Sequence, residues 1–255
     1  MANPVLRNNK LFNQTNQSER NPNLLGAYPP PALAGGSGVM TVESTLIKTS
    51  ALFAIVVLTA AVGWFIPQLA IPALVIALVL GLVNAFKKEP SVPLIMLYAV
   101  FEGVGLGGFS AIAEGRYPGV IVQAVLATLV TVAVVLALFA SGKIRSSRRA
   151  TKVFMVAMVS YLAFSLLNFG LSITGIVDTP FGIRGMEIAG IPVGIIIGIF
   201  AVIMASYSLV LDFEFVKNGA NNRIAQKYEW MAGFGILVTV VWLYVEFVRI
   251  FALRR

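Results

Sequence analysis

From residue 44 onward the chain is a succession of apolar runs separated by short polar and basic stretches. Seven runs stand out, at 44–66, 69–86, 93–113, 119–140, 153–173, 188–216 and 230–253. Each is near or above the ~20 residues that cross a bilayer core as a helix. Pro67 and Pro72 mark the entrance to the second. The pattern predicts an all-α polytopic membrane protein with seven transmembrane helices, occupying 41–255. Residues 1–40 break the pattern. They are rich in Asn, Gln, Pro and Gly and hold no apolar core, so they read as a disordered cytoplasmic tail and not as a signal peptide.

Composition sharpens this picture. Hydrophobic residues make up 58% of the chain and charged ones only 12%, about half the usual charged share of a soluble domain. Mean hydropathy is +0.87. The net charge of +8 does not point to nucleic acid, because the basic residues sit in short clusters between apolar runs with no aromatic platform beside them. There is no cysteine and no histidine. Thiolate and imidazole metal sites are excluded, and so is the usual side chain for sensing pH near neutrality. Proton chemistry falls to carboxylates, lysines or tyrosines.

Placing the N-terminus in the cytoplasm puts fourteen of the 19 Lys and Arg residues on the inner side, among them Lys87, Lys88 and the cluster Lys143, Arg145, Arg148, Arg149 and Lys152. Arg116, Arg184, Arg249, Arg254 and Arg255 fall outside. This asymmetry predicts an inward N-terminus and an outward C-terminus. No pair of similar halves suggests a transporter built from repeats.

Polar residues inside the apolar runs are the candidate chemistry. Glu102, Asp212 and Glu246 lie within or near runs three, six and seven, and buried ionisable groups in a membrane tend to face a protein interior or an ion path. A structural alternative is local pairing with Lys87, Lys88 or Arg249. Arg249 follows Glu246 by three residues, on the same helix face. Tyr228, Glu229 and Trp230 read as an interfacial belt. In GIPVGIIIG, Gly190, Gly194 and Gly198 are spaced by four and predict one helix-packing face. The glycines of EGVGLGG, 102–108, also favour close packing. They do not form a phosphate loop, because the Lys-Ser/Thr ending and a preceding strand are missing.

Three motifs carry a family resemblance. LYVEFVRIF at 243–251 resembles the closing helix of the Bax inhibitor-1 family, also called the transmembrane Bax inhibitor motif family. LDFEFVKNG at 211–219 is similar to its penultimate helix, and YAVFEGVGLGG at 98–108 to its third. The resemblance covers 44–255. It implies six helices around a central seventh, and a hydrogen-bonded acid pair that falls here on Asp212 and Glu246. It also implies a basic partner at Lys87 or Lys88, and in bacterial members a pH-dependent calcium leak. Two carboxyls sharing a proton would supply a pH switch without histidine. Once deprotonated, Asp212 and Glu246 would offer a passing calcium ion the oxygen ligands it prefers.

Depth along the helices tests this pairing. Asp212 lies ~9 Å from the inner loop, but Glu246 lies ~27 Å deep if the last helix starts at Tyr228, or ~15 Å if it crosses only from Ile236. Gly233 and Gly235 in WMAGFG would permit the late start. Otherwise Asp212 would meet Glu229, and Glu246 would meet Glu102 or a basic residue. The expected function is a pH-sensitive calcium or cation leak channel of a bacterial inner membrane, with lipid, calcium and protons as its partners. The rival is a non-conducting interaction protein that modulates a membrane protease or stress response. No nucleophile–base set or cofactor motif suggests an enzyme or a cofactor.

Overall fold

The computed structural model describes residues 38–176 and 181–255. Its seven long helices are α1 Val42–Phe65, α2 Ala70–Phe86, α3 Val92–Arg116, α4 Val120–Ala140, α5 Arg148–Ile173, α6 Val193–Asn221 and α7 Tyr228–Leu253. All seven, α2 together with the 3-10 turn Pro67–Leu69 that leads into it, are long and apolar enough to cross a membrane. Local chemistry sets several of their ends. Thr41 and Ser147 cap α1 and α5, accepting from the amides of Ser44 and Ala150. Pro93 sits in the first turn of α3, where its missing N–H costs nothing. The Glu114 carboxylate accepts from the amides of Gly119 and Ile121, at 2.6 and 3.1 Å, and places negative charge at the start of α4.

The sixth helix begins five residues later than its apolar run. A two-stranded hairpin precedes it, β1 Glu187–Ile188 against β2 Ile191–Pro192. Ala189 and Gly190 form its turn with φ of 53° and 78°, the left-handed pair that a two-residue hairpin needs. Gly190 is therefore a turn residue and not part of a helix-packing face. Gly194 and Gly198 do pack: a Cβ on either would lie within 2.5 Å of Leu253 or Ile250 of α7.

The α1–α3 seam is the tightest in the bundle. A Cβ on Gly107 would stand 2.0 Å from the Ala60 carbonyl oxygen, and one on Gly63 2.1 Å from that of Val104. Backbone thus meets backbone, the contact that small residues allow in lipid. EGVGLGG lies inside an unbroken α3. Helix α7 packs against α1, α3, α4 and α6, while α2 rests chiefly on α3, and α5 on α6 and a 3-10 turn at Gly182–Gly185.

Two ends follow from this arrangement. At one, Val39 bridges Ala225, Lys227 pairs with Glu89, and Glu214 accepts from Ser146. This end carries the start of α1 and the α2–α3, α4–α5 and α6–α7 connections, with most of the Lys and Arg; we call it the basic end. At the other, Arg255 donates to the Pro118 carbonyl. The tail reading of 1–37 lies outside the described residues. Residues 38–40 are not tail, however. Met40 is buried, and its amide donates to the Ile224 carbonyl at 2.8 Å.

Candidate functional site

Four acidic side chains enter the bundle, and they fall into two kinds. Glu229 sits in the first turn of α7, fully buried. One oxygen accepts from the Thr41 amide at 2.9 Å; the other accepts from Ser44 Oγ at 2.6 Å and Lys48 Nζ at 2.5 Å. Lys48 also lies 5.5 Å from the Trp230 ring. Glu229 is thus not an interfacial belt residue and not a partner of Asp212. It ties the start of α1 to the start of α7.

Glu246 lies 18 residues past the start of α7, ~27 Å along it. It too is fully buried and fully served. Oε1 accepts from the Tyr161 hydroxyl and from Arg249 Nη1, the latter at 2.7 Å; Oε2 accepts from Arg184 Nη1 at 3.2 Å. Arg184 reaches in from the Gly182–Gly185 turn and is only 4% exposed. Its Nη2 donates to the Tyr161 hydroxyl at 2.8 Å, and its guanidinium lies 5.3 and 5.7 Å from the Tyr161 and Phe164 rings. Burial opposes its charge, but Glu246 and Tyr161 more than offset this and hold its pKa above the ordinary arginine value. Arg249 is the local partner that helix spacing predicts. Arg184 and Tyr161 are not legible as partners; the only hint was an arginine in a loop facing the end of a helix that carries a buried acid. Lys87 and Lys88 are exposed at the basic end, far from Glu246.

The other two acids sit at mid-depth. Asp212, partly buried on α6, accepts from Thr239 Oγ1 at 2.7 Å, and that hydroxyl lies 3.3 Å from Ser208 Oγ. Gly235 leaves room for its other oxygen, since a Cβ there would come within 3.2 Å. Glu102 is 8% exposed on α3, with Tyr98 one turn earlier beside it. It lies ~15 Å from the start of its helix, much as Asp212 lies from the end of its own. Among the described residues neither forms an ion pair.

Asp212 and Glu246 are not hydrogen-bonded to each other. Glu246 lies seven residues beyond Thr239, two turns or ~10 Å further along α7. The helix is continuous from Tyr228, so WMAGFG does not delay its start. Glu246 has its oxygens filled by arginines and a phenol, which leaves no place for Asp212. Nor does Glu102 bond to Glu246. Asp212 thus bonds α7 about two turns before Glu246, and each carboxylate has its own set of partners. Among the described residues no three Asp, Glu, His or Cys side chains gather as a metal group.

A cavity of about 410 Å³ lies between α1, α3, α4 and α7, lined by residues such as Phe53, Ala60, Leu106, Val125 and Val241. Its polar edge is the hydroxyl pair Ser110 and Tyr244, 2.6 Å apart and bonded to each other. None of the four acids lines it, so it is not the carboxylate site.

The arrangement separates fixed charge from adjustable charge. The Glu229 and Glu246 clusters carry their own cations; among the described residues Asp212 and Glu102 each meet a hydroxyl and form no ion pair, and can be neutralised by a proton or by a passing cation. A search of curated proteins finds no match. The family model described as Bax inhibitor 1 like matches residues 3–255. With its seven membrane-length helices and acids on α3, α6 and α7, the chain belongs to the Bax inhibitor 1 like family.

Proposed function

We propose that the protein is a passive, pH-sensitive cation leak of a cytoplasmic (inner) membrane, with calcium as its cargo and its basic end facing the cytoplasm. Family membership supports the transport reading, and the excess of Lys and Arg at one end supports the orientation. The observation that carries it is the two mid-depth acids, Glu102 and Asp212, which form no ion pair among the described residues. An anion held at that depth without a cation is costly. A proton relieves the cost in one state and a divalent cation in another, so proton and cargo compete for the same oxygens. Acid pH then slows the leak and neutral pH favours it.

Calcium entry into proteoliposomes loaded with an indicator, measured from pH 5 to 8, tests this. The wild-type protein is expected to leak with a sigmoidal rise toward neutral pH. D212N and E102Q are expected to flatten that rise. Identical pH profiles for the wild type and both variants would remove the two acids from the mechanism. Sealed vesicles that never leak would leave the non-conducting partner protein as the better reading.

A further inference from the structure

We propose that the cavity between α1, α3, α4 and α7 is a lateral binding site for a lipid alcohol, an apolar chain that ends in a single hydroxyl. The site goes beyond the cation leak and does not depend on it, since none of the four buried acids lines this cavity.

Place and shape come first. α1 and α4 both pack on α7 and not closely on each other, which leaves a groove between them with α3 and α7 as its floor. Its lining on α1 runs from Phe53 to Trp64, ~16 Å along the helix and about half of a ~30 Å hydrocarbon core. These residues lie in the half of α1 away from the basic end. On α4, which starts at the opposite end, the lining is the opening stretch from Ile121 to Leu129. The cavity therefore sits within one leaflet. Val57 and Leu129 edge its mouth and are 66% and 60% exposed. In a membrane-spanning bundle such apolar side chains face lipid, so a ligand enters from the bilayer and not from water. The volume of about 410 Å³ falls within the roughly 300–1,000 Å³ of small-molecule pockets.

The polar groups stand at one end of the groove. Gly107 packs on Ala60, so Ser110, one turn later on α3, is level with the Trp64 end of α1. Tyr244 is the last lining residue of α7. The two hydroxyls thus lie at the end away from the basic side, and apolar residues continue from them to Phe53 near mid-membrane. An amphiphile of that leaflet lies the same way, with its polar group toward the membrane surface and its chain inward.

Hydrogen-bond capacity selects the ligand's polar group. Ser110 donates its single hydroxyl hydrogen to the Leu106 carbonyl at 2.6 Å. Tyr244 must then supply the hydrogen between the two hydroxyls, also 2.6 Å apart. Thr128, the remaining hydroxyl on the lining, donates to the Ala124 carbonyl at 2.7 Å. Every hydroxyl hydrogen is engaged within the protein, and only oxygen lone pairs are left for a ligand. An alcohol brings the donor that these oxygens lack. A phospholipid ester or a fatty-acid carboxylate brings acceptors only, and these would face the hydroxyls unpaired.

Photolabelling of the full-length protein in phosphatidylcholine vesicles tests this, with a dodecanol that carries a diazirine in its chain. Adducts mapped by peptide mass spectrometry are expected on the lining of α1 and α4, over an unsaturable background on the lipid-exposed face of α5. Unlabelled dodecanol should compete the α1 and α4 adducts away. Dodecyl methyl ether, which has lost the donor, should need at least tenfold more. V125F fills the groove from its rim and should abolish those adducts while the α5 background stays. S110A/Y244F removes both acceptors, and alcohol and ether should then compete equally. If that variant does not fold, the alcohol–ether contrast in the unaltered protein decides. Equal competition by alcohol and ether in the unaltered protein overturns the assignment and leaves a groove for any lipid chain. Adducts spread alike over α1, α4 and α5 without saturation are bilayer partition and overturn the site altogether.

Discussion

Glu229 and Asp212 are both acids lodged between α7 and a neighbouring helix, yet their surroundings have opposite logic. Glu229 accepts three hydrogen bonds, one from a lysine. Asp212 accepts one, from a threonine. Glu246 belongs with the first and Glu102 with the second. The difference teaches that burial of a charge has two solutions in lipid. A cation and a set of donors fix the charge permanently and make the acid a clamp. A neutral neighbour leaves the charge dependent on what arrives from outside, whether a proton or an ion. In this chain the clamps stand toward the two ends of α7, and the adjustable acids stand between them.

The comparison breaks first at Lys48. Replacing it with Met strands Glu229 as a buried anion with only neutral donors. We expect a loss of about 3–5 kcal/mol, the usual penalty for removing one partner of a buried pair, seen as a lower melting temperature in detergent. Adding E229Q should recover much of it, because the amide has no charge to strand. A K48M protein as stable as the wild type would mean that Glu229 is no clamp.

The Glu246 cluster sharpens the point through redundancy. R184Q and R249Q each leave one arginine on Glu246, so each alone should cost only about 1 kcal/mol. Together they strand the carboxylate, and the double variant should lose about 3 kcal/mol, somewhat less than the Lys48 variant because the more exposed Arg249 position admits water. Such a loss exceeds the sum of the singles, the mark of residues that share one partner. Strictly additive losses would show that the two arginines act separately.

These clusters also mark what could and could not be read in advance. The helices were legible because a span in lipid needs an uninterrupted apolar run, and hydrophobicity along the chain records it directly. The start of α6 was not, because Ile188, Ile191 and Val193 look alike to hydropathy, while the turn at Ala189 and Gly190 lies in backbone angles. Glu102, Asp212 and Glu246 were legible as charges in or near apolar runs, whereas Glu229, one residue before the last run, read as part of an interfacial belt. Arg249 was legible as a partner because three residues on a helix is a local relation. Lys48 and Arg184 were not, since their partners lie 181 and 62 residues away. Helix packing, not spacing, joins them. The depth arithmetic did carry a warning: with α7 helical from Tyr228, it set Asp212 and Glu246 ~18 Å apart in depth. The motifs that named the family were more reliable than the acid pair inferred from it.

The smallest expected effect is the one that defines the middle of the bundle. Asparagine at 212 keeps the size of the side chain and can still meet Thr239 Oγ1, whose hydroxyl rotates to donate or accept. If Asp212 sits there with its charge already neutralised, the exchange of carboxyl for amide removes no ion pair. D212N should then melt within about 1 kcal/mol of the wild type, the scale of one altered neutral hydrogen bond. E102Q should behave alike, since its neighbour is Tyr98 and not a cation. Glu229→Gln is the control: it leaves Lys48 buried against an amide and should cost clearly more. Thermal unfolding of the three variants side by side in one detergent reads the contrast directly. A drop for D212N as large as that for E229Q would place Asp212 among the clamps and erase the division between fixed and adjustable acids.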